Sequence, residues 1–251
     1  MKSSEIQTLQ KLFREQGFSI VKAEIWANFV RHVFHLYWRA ADQLLMTECW
    51  DEFQLKRGAL GKPKRKRGRQ VQIPIEDAIT SELGHFVQKL REELPSDHFL
   101  RAHEVNFECE ALIKSRNRAG RSSKTADFRV AAQTGGENAP KIVIEAKPLI
   151  TKGDIGGRYL AKEGLGCFFC ADSVYTEGPL GAMFAYTIID SAGSLRDEIH
   201  TALAAHRPAP TAVGKFSLHG GDWATCSTHP RDHGFIPIVI VHVERIFPTI
   251  A

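Results

Sequence analysis

Hydrophobic and polar residues follow a helical spacing over the first fifty residues of the chain. Apolar side chains recur every three or four positions, as at Ile25, Phe29 and Val33, which is the spacing of one face of an α-helix. Residues 5–50 contain no proline and a single glycine. The pattern predicts an amphipathic helix or a pair of helices, whose aromatic residues form either core or a self-association face.

A second helix is predicted to begin at Pro74 and to end before Pro95. Proline is tolerated in the first turn of a helix, because its missing N–H would have no partner there, and it stops a helix further along. The apolar stripe of this helix consists of Ile79, Leu83, Phe86 and Leu90.

Strand-like patterns begin after this helix. Residues 103–113 and 125–132 alternate apolar and polar side chains, and residues 141–147 carry a short apolar run, so three strands are predicted. Further along, the pattern predicts helical structure near residues 158–163, 179–189 and 193–206, and a buried strand over residues 235–247. This order of elements favours an α/β or α+β sheet domain with helical additions at both ends.

Length and composition set broad limits on the class of protein. A chain of 251 residues is expected to form one large domain, or a core with an appendage. Its 43% hydrophobic and 25% charged residues are typical of a globular chain and exclude a wholly disordered or fibrous one. We expect a helical segment over residues 1–55, a basic linker or loop over residues 56–70, and the main domain over residues 71–251.

The same sequence features bear on location. No apolar run reaches the roughly 18 residues that a membrane helix needs, and the first residues lack the apolar region of a secretory leader. Five cysteines are too few for a disulfide scaffold in a chain of this length. We therefore expect a cytoplasmic protein with no membrane span.

Positive charge is concentrated in two segments. Residues 56–70 contain eight basic and no acidic residues, and without them the rest of the chain would carry a net negative charge. A second basic segment, residues 114–124, lies between the first two predicted strands. Such runs attract phosphate backbones without reading base sequence, although each is also compatible with a solvated linker or hairpin loop. The candidate nucleic-acid contacts are Lys64, Arg65, Lys66, Arg67, Arg116, Arg118, Arg121 and Lys124.

Three residues could carry chemistry. Asp127 lies just inside one predicted strand, and Glu145 and Lys147 end another that a short turn brings back beside the first. Residues two apart on a strand share a face, so Glu145 and Lys147 project together. Two carboxylates could bind Mg²⁺ or Mn²⁺, which polarises a phosphoryl oxygen, while a lysine orients or deprotonates the attacking water. The pattern indicates phosphodiester hydrolysis; the alternative is that these charges only mark the solvated end of a strand.

These residues resemble the motif of the PD-(D/E)XK, or restriction-endonuclease-like, nuclease superfamily. The resemblance covers mainly residues 74–172, and it implies that Asp127 and Glu145 are the metal ligands and that Lys147 is the catalytic lysine. Where the family has a proline before the aspartate, this chain has Ala126. The resemblance also implies an α/β fold with a mixed sheet flanked by helices and an N-terminal helical extension, a Mg²⁺ or Mn²⁺ cofactor, and double-stranded DNA as substrate.

Many members of the superfamily carry a further acid on the helix before the strands, and Glu76 and Glu82 are the candidates here. Glu76 lies closer to the centre of the apolar stripe, and it lies near the helix N-terminus, where the helix dipole favours a carboxylate. Glu76 is therefore preferred as the assisting acid, the alternative being a helix-end acid with no ligand.

Features further along the chain extend the resemblance. Residues 158–160 with 163–165, and later residues 227–231, look like parts of restriction-type proteins of bacterial defence clusters, which implies a role in anti-phage defence or restriction and a partner protein of such a system. One active site cuts one strand, so double-strand cleavage would need a homo-oligomer, for which the aromatic N-terminal helix is a candidate interface.

Two other classes of function remain open from the sequence. The chain could be a non-catalytic nucleic-acid-binding or adaptor subunit that keeps the fold. It could also be an interaction module stabilised by zinc, because Cys167, Cys170, Cys226 and His229 have a spacing that zinc tolerates. Buried free cysteines also behave simply as small apolar residues.

Overall fold

The computed structural model of the chain describes residues 6–60, 64–66, 69–71, 75–113, 124–169, 174–188, 193–207, 209–219, 222–231 and 234–248. The first half contains α1 (Gln7–Glu15), α2 (Ile20–Leu44), α3 (Thr47–Leu60), β1 (Lys64–Lys66), β2 (Arg69–Val71), α4 (Ile75–Glu92), α5 (Phe99–Ala102), β3 (Asn106–Ile113) and β4 (Lys124–Ala131). The second half contains β5 (Lys141–Leu149), β6 (Leu180–Thr187), α6 (Arg196–Ala204), β7 (Ala212–His219), β8 (Asp222–His229) and β9 (Ile238–Ile246).

Seven strands form one mixed sheet in the order β3-β4-β5-β6-β9-β8-β7. The central pairs β5–β6 and β6–β9 are parallel, and the four outer pairs are antiparallel. Helices flank this sheet, so the predicted α/β class with a mixed, helix-flanked sheet is confirmed. None of the described helices is both long and apolar enough to cross a lipid bilayer.

Each face of the sheet has its own apolar core. One core joins α1, α2 and α4 to strand residues such as Phe128, Ile144 and Phe184. The other joins α6, a π-helical turn at Ile155–Tyr159 and a 3-10 turn at Leu165–Phe168 to strand residues that include Val143. Side chains alternate along β5, so Glu145 and Lys147 share the face of Val143.

Helix α2 is the largest element of the first core. It begins after Ser19, whose hydroxyl accepts a hydrogen bond from the backbone N–H of Lys22 at 3.2 Å, which satisfies a donor of the first turn. Its buried large side chains are Trp26, Phe29, Val30, Val33, Phe34, Leu36, Tyr37 and Trp38. The predicted aromatic stripe is therefore core, and it is not available as the self-association face that the sequence also allowed.

Three strands of the seven-stranded sheet, β6, β7 and β8, were not predicted as strands from the sequence. Residues 179–189 were expected to be helical, but Leu180–Thr187 form β6, which is buried at every position between two parallel neighbours. A central parallel strand has no polar face, so its apolar run resembles that of a buried helix. The hairpin of β7 and β8 was not predicted, because β8 buries polar residues such as Ser227 and His229 that hydrogen-bond each other.

Candidate active site

Three carboxylates from three elements converge at one end of the β4–β5 pair. Glu76 lies in the first turn of α4, and Asp127 and Glu145 lie on β4 and β5. Each offers one oxygen, and these oxygens all lie within 4.8 Å of one another. Asp127 and Glu145 are the next residues along β4 and β5 after the last paired residues of the register, Phe128 and Ile144.

Asp127 is held by the backbone of the neighbouring strand. The described β4–β5 register ends at Phe128 and Ile144, and beyond it the Ala146 N–H donates to Asp127 Oδ2 at 2.7 Å. A carboxylate that accepts a backbone N–H has a defined orientation. One Asp127 oxygen is thus fixed by the fold.

Lys147 connects the other two acids. Its ammonium donates to Glu76 Oε1 at 2.6 Å and to Glu145 Oε1 at 2.7 Å, and the side chains of Lys147 and Glu145 are only 12% and 7% exposed. Glu145 Oε2 is buried and has no hydrogen-bond partner among the described residues. Glu145 therefore uses one oxygen for Lys147 and leaves the other without a partner.

The protonation equilibria of the cluster reflect its burial. Burial raises the pKa of Asp127 to about 6, against the opposing effects of the Ala146 N–H and of Lys147. Burial and the charge of Asp127 raise the pKa of Glu145 to about 8. Burial acts to lower the pKa of Lys147, but Glu145 and Glu76 outweigh it, and its pKa lies above the ordinary range. The cluster has more negative charge than Lys147 alone compensates, while Lys147 stays an ammonium.

These donors fit a small divalent cation. Carboxylate oxygens are the preferred ligands of Mg²⁺ and Mn²⁺, and an unpartnered buried carboxylate oxygen is costly unless a cation or proton compensates it. Glu145 Oε2 is such an oxygen. The residues that would hold the ion are Asp127 and Glu145, with Glu76 as the third carboxylate.

The side chains of β3 and β4 change from one face of the sheet to the other beside the cluster. Glu110 adopts a left-handed backbone conformation, with φ of 52°, between the register pairs Cys109–Phe128 and Ala111–Ala126 of β3 and β4. On one side of this point Phe107 and Phe128 belong to the core under α2, whereas on the other side Ile113 and Ala126 belong to the opposite core. The end of the hairpin is thereby turned onto the face that carries Glu145 and Lys147.

Two residues that the sequence analysis did not assign to the active site lie close to the cluster. The Tyr175 hydroxyl donates to the Thr125 carbonyl at 3.1 Å, and the Tyr175 N–H donates to the Cys167 carbonyl at 3.1 Å. Burial, and next the charge of Glu145, raise the pKa of both Tyr175 and Cys167. Cys167 lies in the 3-10 turn at Leu165–Phe168, and Tyr175 lies outside the described helices and strands, so only the tyrosine within an apolar stretch of sequence could have indicated them.

The basic residues are described only in part. Lys124 begins β4, and its ammonium lies 5.7 Å from the centre of the Tyr175 ring. Lys64–Lys66 pair antiparallel with Arg69–Val71 in a small hairpin before α4, and only the backbone of these strands is described. Arg67, Arg116, Arg118 and Arg121 lie outside the described residues.

The zinc alternative is not supported by the described residues. Cys226 and His229 lie an odd number of positions apart on β8, so their side chains point to opposite faces. Cys226 Sγ contacts the Gly214 carbonyl at 3.5 Å, and His229 Nε2 lies 2.8 Å from Ser227 Oγ. Cys167 contacts the Lys162 carbonyl at 3.6 Å, and Cys170 lies outside the described residues. Within the described part of the chain, Glu76, Asp127 and Glu145 are the one group found that could hold a metal ion.

Comparison of the chain with protein-family models, with curated proteins and with solved structures gave no match.

Proposed function

We propose that the protein is a nuclease that hydrolyses DNA phosphodiester bonds with Mg²⁺ or Mn²⁺. The observation that carries this proposal is the convergence of Glu76, Asp127 and Glu145 around Lys147. Acids on two paired strands, a third on the preceding helix and a lysine two residues after the second acid are the arrangement expected of the restriction-endonuclease-like fold. The mixed sheet flanked by helices supports the same fold.

The roles of the residues follow from their contacts. A bound divalent ion would polarise a phosphoryl oxygen and lower the pKa of a bound water. Asp127 and Glu145 would hold that ion through the oxygens that the Ala146 N–H and Lys147 do not use. Lys147 stays an ammonium, which favours orienting the attacking water and offsetting phosphoryl charge over removing a proton.

The charge of the chain favours a polyanionic substrate. One basic segment precedes α4, which carries Glu76, and the other leads into β4, which carries Asp127. Each phosphate contact adds to affinity without reading bases. The resemblance adds double-stranded DNA, and a role in restriction or anti-phage defence with a partner protein. Cleavage of both strands would require a second copy of the chain, associated through a surface other than the buried aromatic face of α2.

The test is cleavage of supercoiled plasmid with Mg²⁺ and with a chelator. We expect nicking or linearisation that depends on Mg²⁺, and Lys147→Ala should slow it by about a hundredfold or more while circular dichroism and DNA binding persist. Lys152→Ala is the matched control, because Lys152 is exposed and pairs with Glu198 at 2.6 Å.

Two outcomes contradict the proposal. If Lys147→Ala cleaves as fast as the wild-type protein, the carboxylate cluster is not the active site. If the wild-type protein binds DNA but never cleaves it with Mg²⁺ or Mn²⁺, the chain is the non-catalytic binding subunit instead.

A further inference from the structure

We infer that Tyr175 is a positioning residue, which seats Lys124 beside the carboxylate cluster so that the Lys124 ammonium contacts a phosphate of the bound strand. This inference rests on the proposed function and names how the same site holds its substrate.

The first step is the rigidity of Tyr175. Its side chain is buried, with 7% of the residue exposed. The ring stands edge to face against Phe168, with centroids 5.7 Å apart, and the hydroxyl and the N–H are both bonded to backbone carbonyls. The orientation of the Tyr175 ring is therefore fixed by three contacts: the packing against Phe168, the hydrogen bond of the hydroxyl and the hydrogen bond of the backbone N–H.

The second step is the position of this ring relative to the reaction. The Tyr175 hydroxyl bonds the carbonyl of Thr125, two residues before Asp127 on the same strand. The charges of Glu145 and Asp127 both act on the Tyr175 hydroxyl, so the ring lies within electrostatic range of both proposed metal ligands. The hydroxyl also ties β4 at the point where the hairpin turns onto this face.

The third step is the state of Lys124. Its ammonium lies over the Tyr175 ring, where the electron-rich ring face attracts a cation. Lys124 forms no ion pair with the described residues, and its side chain is half-buried. An ammonium that contacts a ring face can still donate its N–H groups to a ligand. Lys147, by contrast, already donates to Glu76 and Glu145.

The fourth step is the spacing of the substrate charges. Each strand of DNA carries a phosphate about every 3.4 Å of helix axis. Lys124 lies three residues before Asp127 on β4 and over the Tyr175 ring, so we expect a strand whose scissile phosphate reaches the carboxylates to bring a neighbouring phosphate to Lys124. The carboxylates repel those phosphates, and a cation at this place offsets the repulsion.

The experiment measures binding of a short fluorescent DNA duplex by anisotropy in chelator, over a series of salt concentrations. Lys124→Met should weaken binding severalfold and reduce the slope of log K against log salt by about 1. Tyr175→Leu removes the ring and should have the same effect. Tyr175→Phe keeps the ring and should retain the wild-type slope. Lys152→Met, the exposed lysine paired with Glu198, is the control that should change neither quantity.

The double variant Lys124→Met with Tyr175→Leu separates positioning from a general structural effect. If Tyr175 acts through Lys124, the double variant binds like Lys124→Met alone, because the two losses are one interaction. Additive losses would overturn the positioning role. In the cleavage reaction with Mg²⁺, Lys124→Met should raise KM and leave kcat nearly unchanged.

Failure of the inference and failure of the proposed function give different results. An unchanged salt slope in Lys124→Met, with wild-type protein that binds and cleaves, overturns the inference alone. A wild-type protein that binds no DNA overturns both. If Tyr175→Leu does not fold, Lys124→Met still decides the phosphate contact, and Tyr175→Phe decides whether the ring without its hydroxyl suffices.

Discussion

At the scale of one residue, the buried carboxylate of Glu145 shows why the proposed site favours a bound cation. The side chain follows the apolar run Ile142–Ile144 and is itself buried, so the fold opposes its ionisation. Protonation removes this penalty in the metal-free protein, and a bound cation would remove it in the metal-bound protein. The stability of the metal-free protein should therefore depend on pH through this residue.

Glu145→Gln should stabilise the metal-free protein at alkaline pH. The pKa of Glu145 is raised from 4.5 to about 8, so its contribution to stability is complete below pH 4.5 and is lost as the pH rises through about 8. Glutamine has no such loss. When the pH is raised from about 5 to about 9, the free energy of unfolding of the variant should therefore rise by about 1–3 kcal/mol relative to that of the wild-type protein. Urea unfolding in chelator at both pH values measures the difference.

Glu163→Gln is the control for this prediction, because Glu163 is exposed and its substitution should have the same effect at both pH values. A pH-independent difference between Glu145→Gln and the wild-type protein would show that Glu145 ionises normally in the folded state.

The sequence predicts some residues of the site better than others. Strand alternation and a short turn suffice to bring Asp127, Glu145 and Lys147 together, because strand pairing follows from local pattern. Glu76 was preferred over Glu82 from its angle on the helix and its place near the helix N-terminus, and it is Glu76 that contacts Lys147. Tyr175 comes from an irregular segment whose path depends on packing, so no local pattern predicts its contact with β4.

At the scale of an element, strand β6 shows why a local sequence pattern can fail to predict secondary structure. Its residues are buried on both faces, and its sequence contains alanine and methionine, which suit helices. The helical prediction for this segment was wrong because the parallel neighbours β5 and β9, which are distant in sequence, determine its conformation. The antiparallel strands β3 and β4 were predicted correctly because apolar and polar side chains alternate along their sequences.

Gly181→Ala tests how closely β6 packs against Phe168 of the 3-10 turn Leu165–Phe168. A Cβ at Gly181 would lie 2.5 Å from a ring carbon of Phe168 and 3.0 Å from Ile240 Cδ1, and the Phe168 ring is fully buried. We expect a loss of about 1–3 kcal/mol in the free energy of unfolding, because the added methyl overpacks the core. Thermal and urea unfolding measure this loss.

Gly156→Ala provides the matched comparison, since a Cβ there meets nothing within 4 Å. Its stability should stay within about 0.5 kcal/mol of the wild-type value. Equal stabilities for the two alanine variants would mean that Phe168 moves to accommodate the added methyl at little energetic cost.

At the scale of the whole molecule, the helices on the two faces of the sheet are joined by a group of charged residues at one end of strands β8 and β9. Asp222, at the start of β8, accepts from Trp38 Nε1 of α2 at 2.9 Å and from Arg196 of α6 at 2.7 Å. Arg196 also lies 3.3 Å from Glu244 of β9, whose carboxylate accepts the Leu195 N–H before α6. One carboxylate thus contacts both helical layers, which no sequence pattern of either layer reveals.

Asp222→Ala should lower the stability of the whole protein rather than loosen one layer. The substitution leaves the buried Trp38 N–H without its acceptor and removes one of the two acids beside Arg196, which should cost about 2 kcal/mol. The exposed pair between Asp197 of α6 and Lys215 of β7, whose charged atoms lie 2.9 Å apart, offers the control Asp197→Ala, whose cost should be much smaller than that of Asp222→Ala. Because both layers share Asp222, tryptophan fluorescence and far-ultraviolet circular dichroism should report one coincident urea transition in the variant. Two separated transitions, or a loss no larger than that of Asp197→Ala, would mean that each layer is stabilised by its own core and that Asp222 does not couple them.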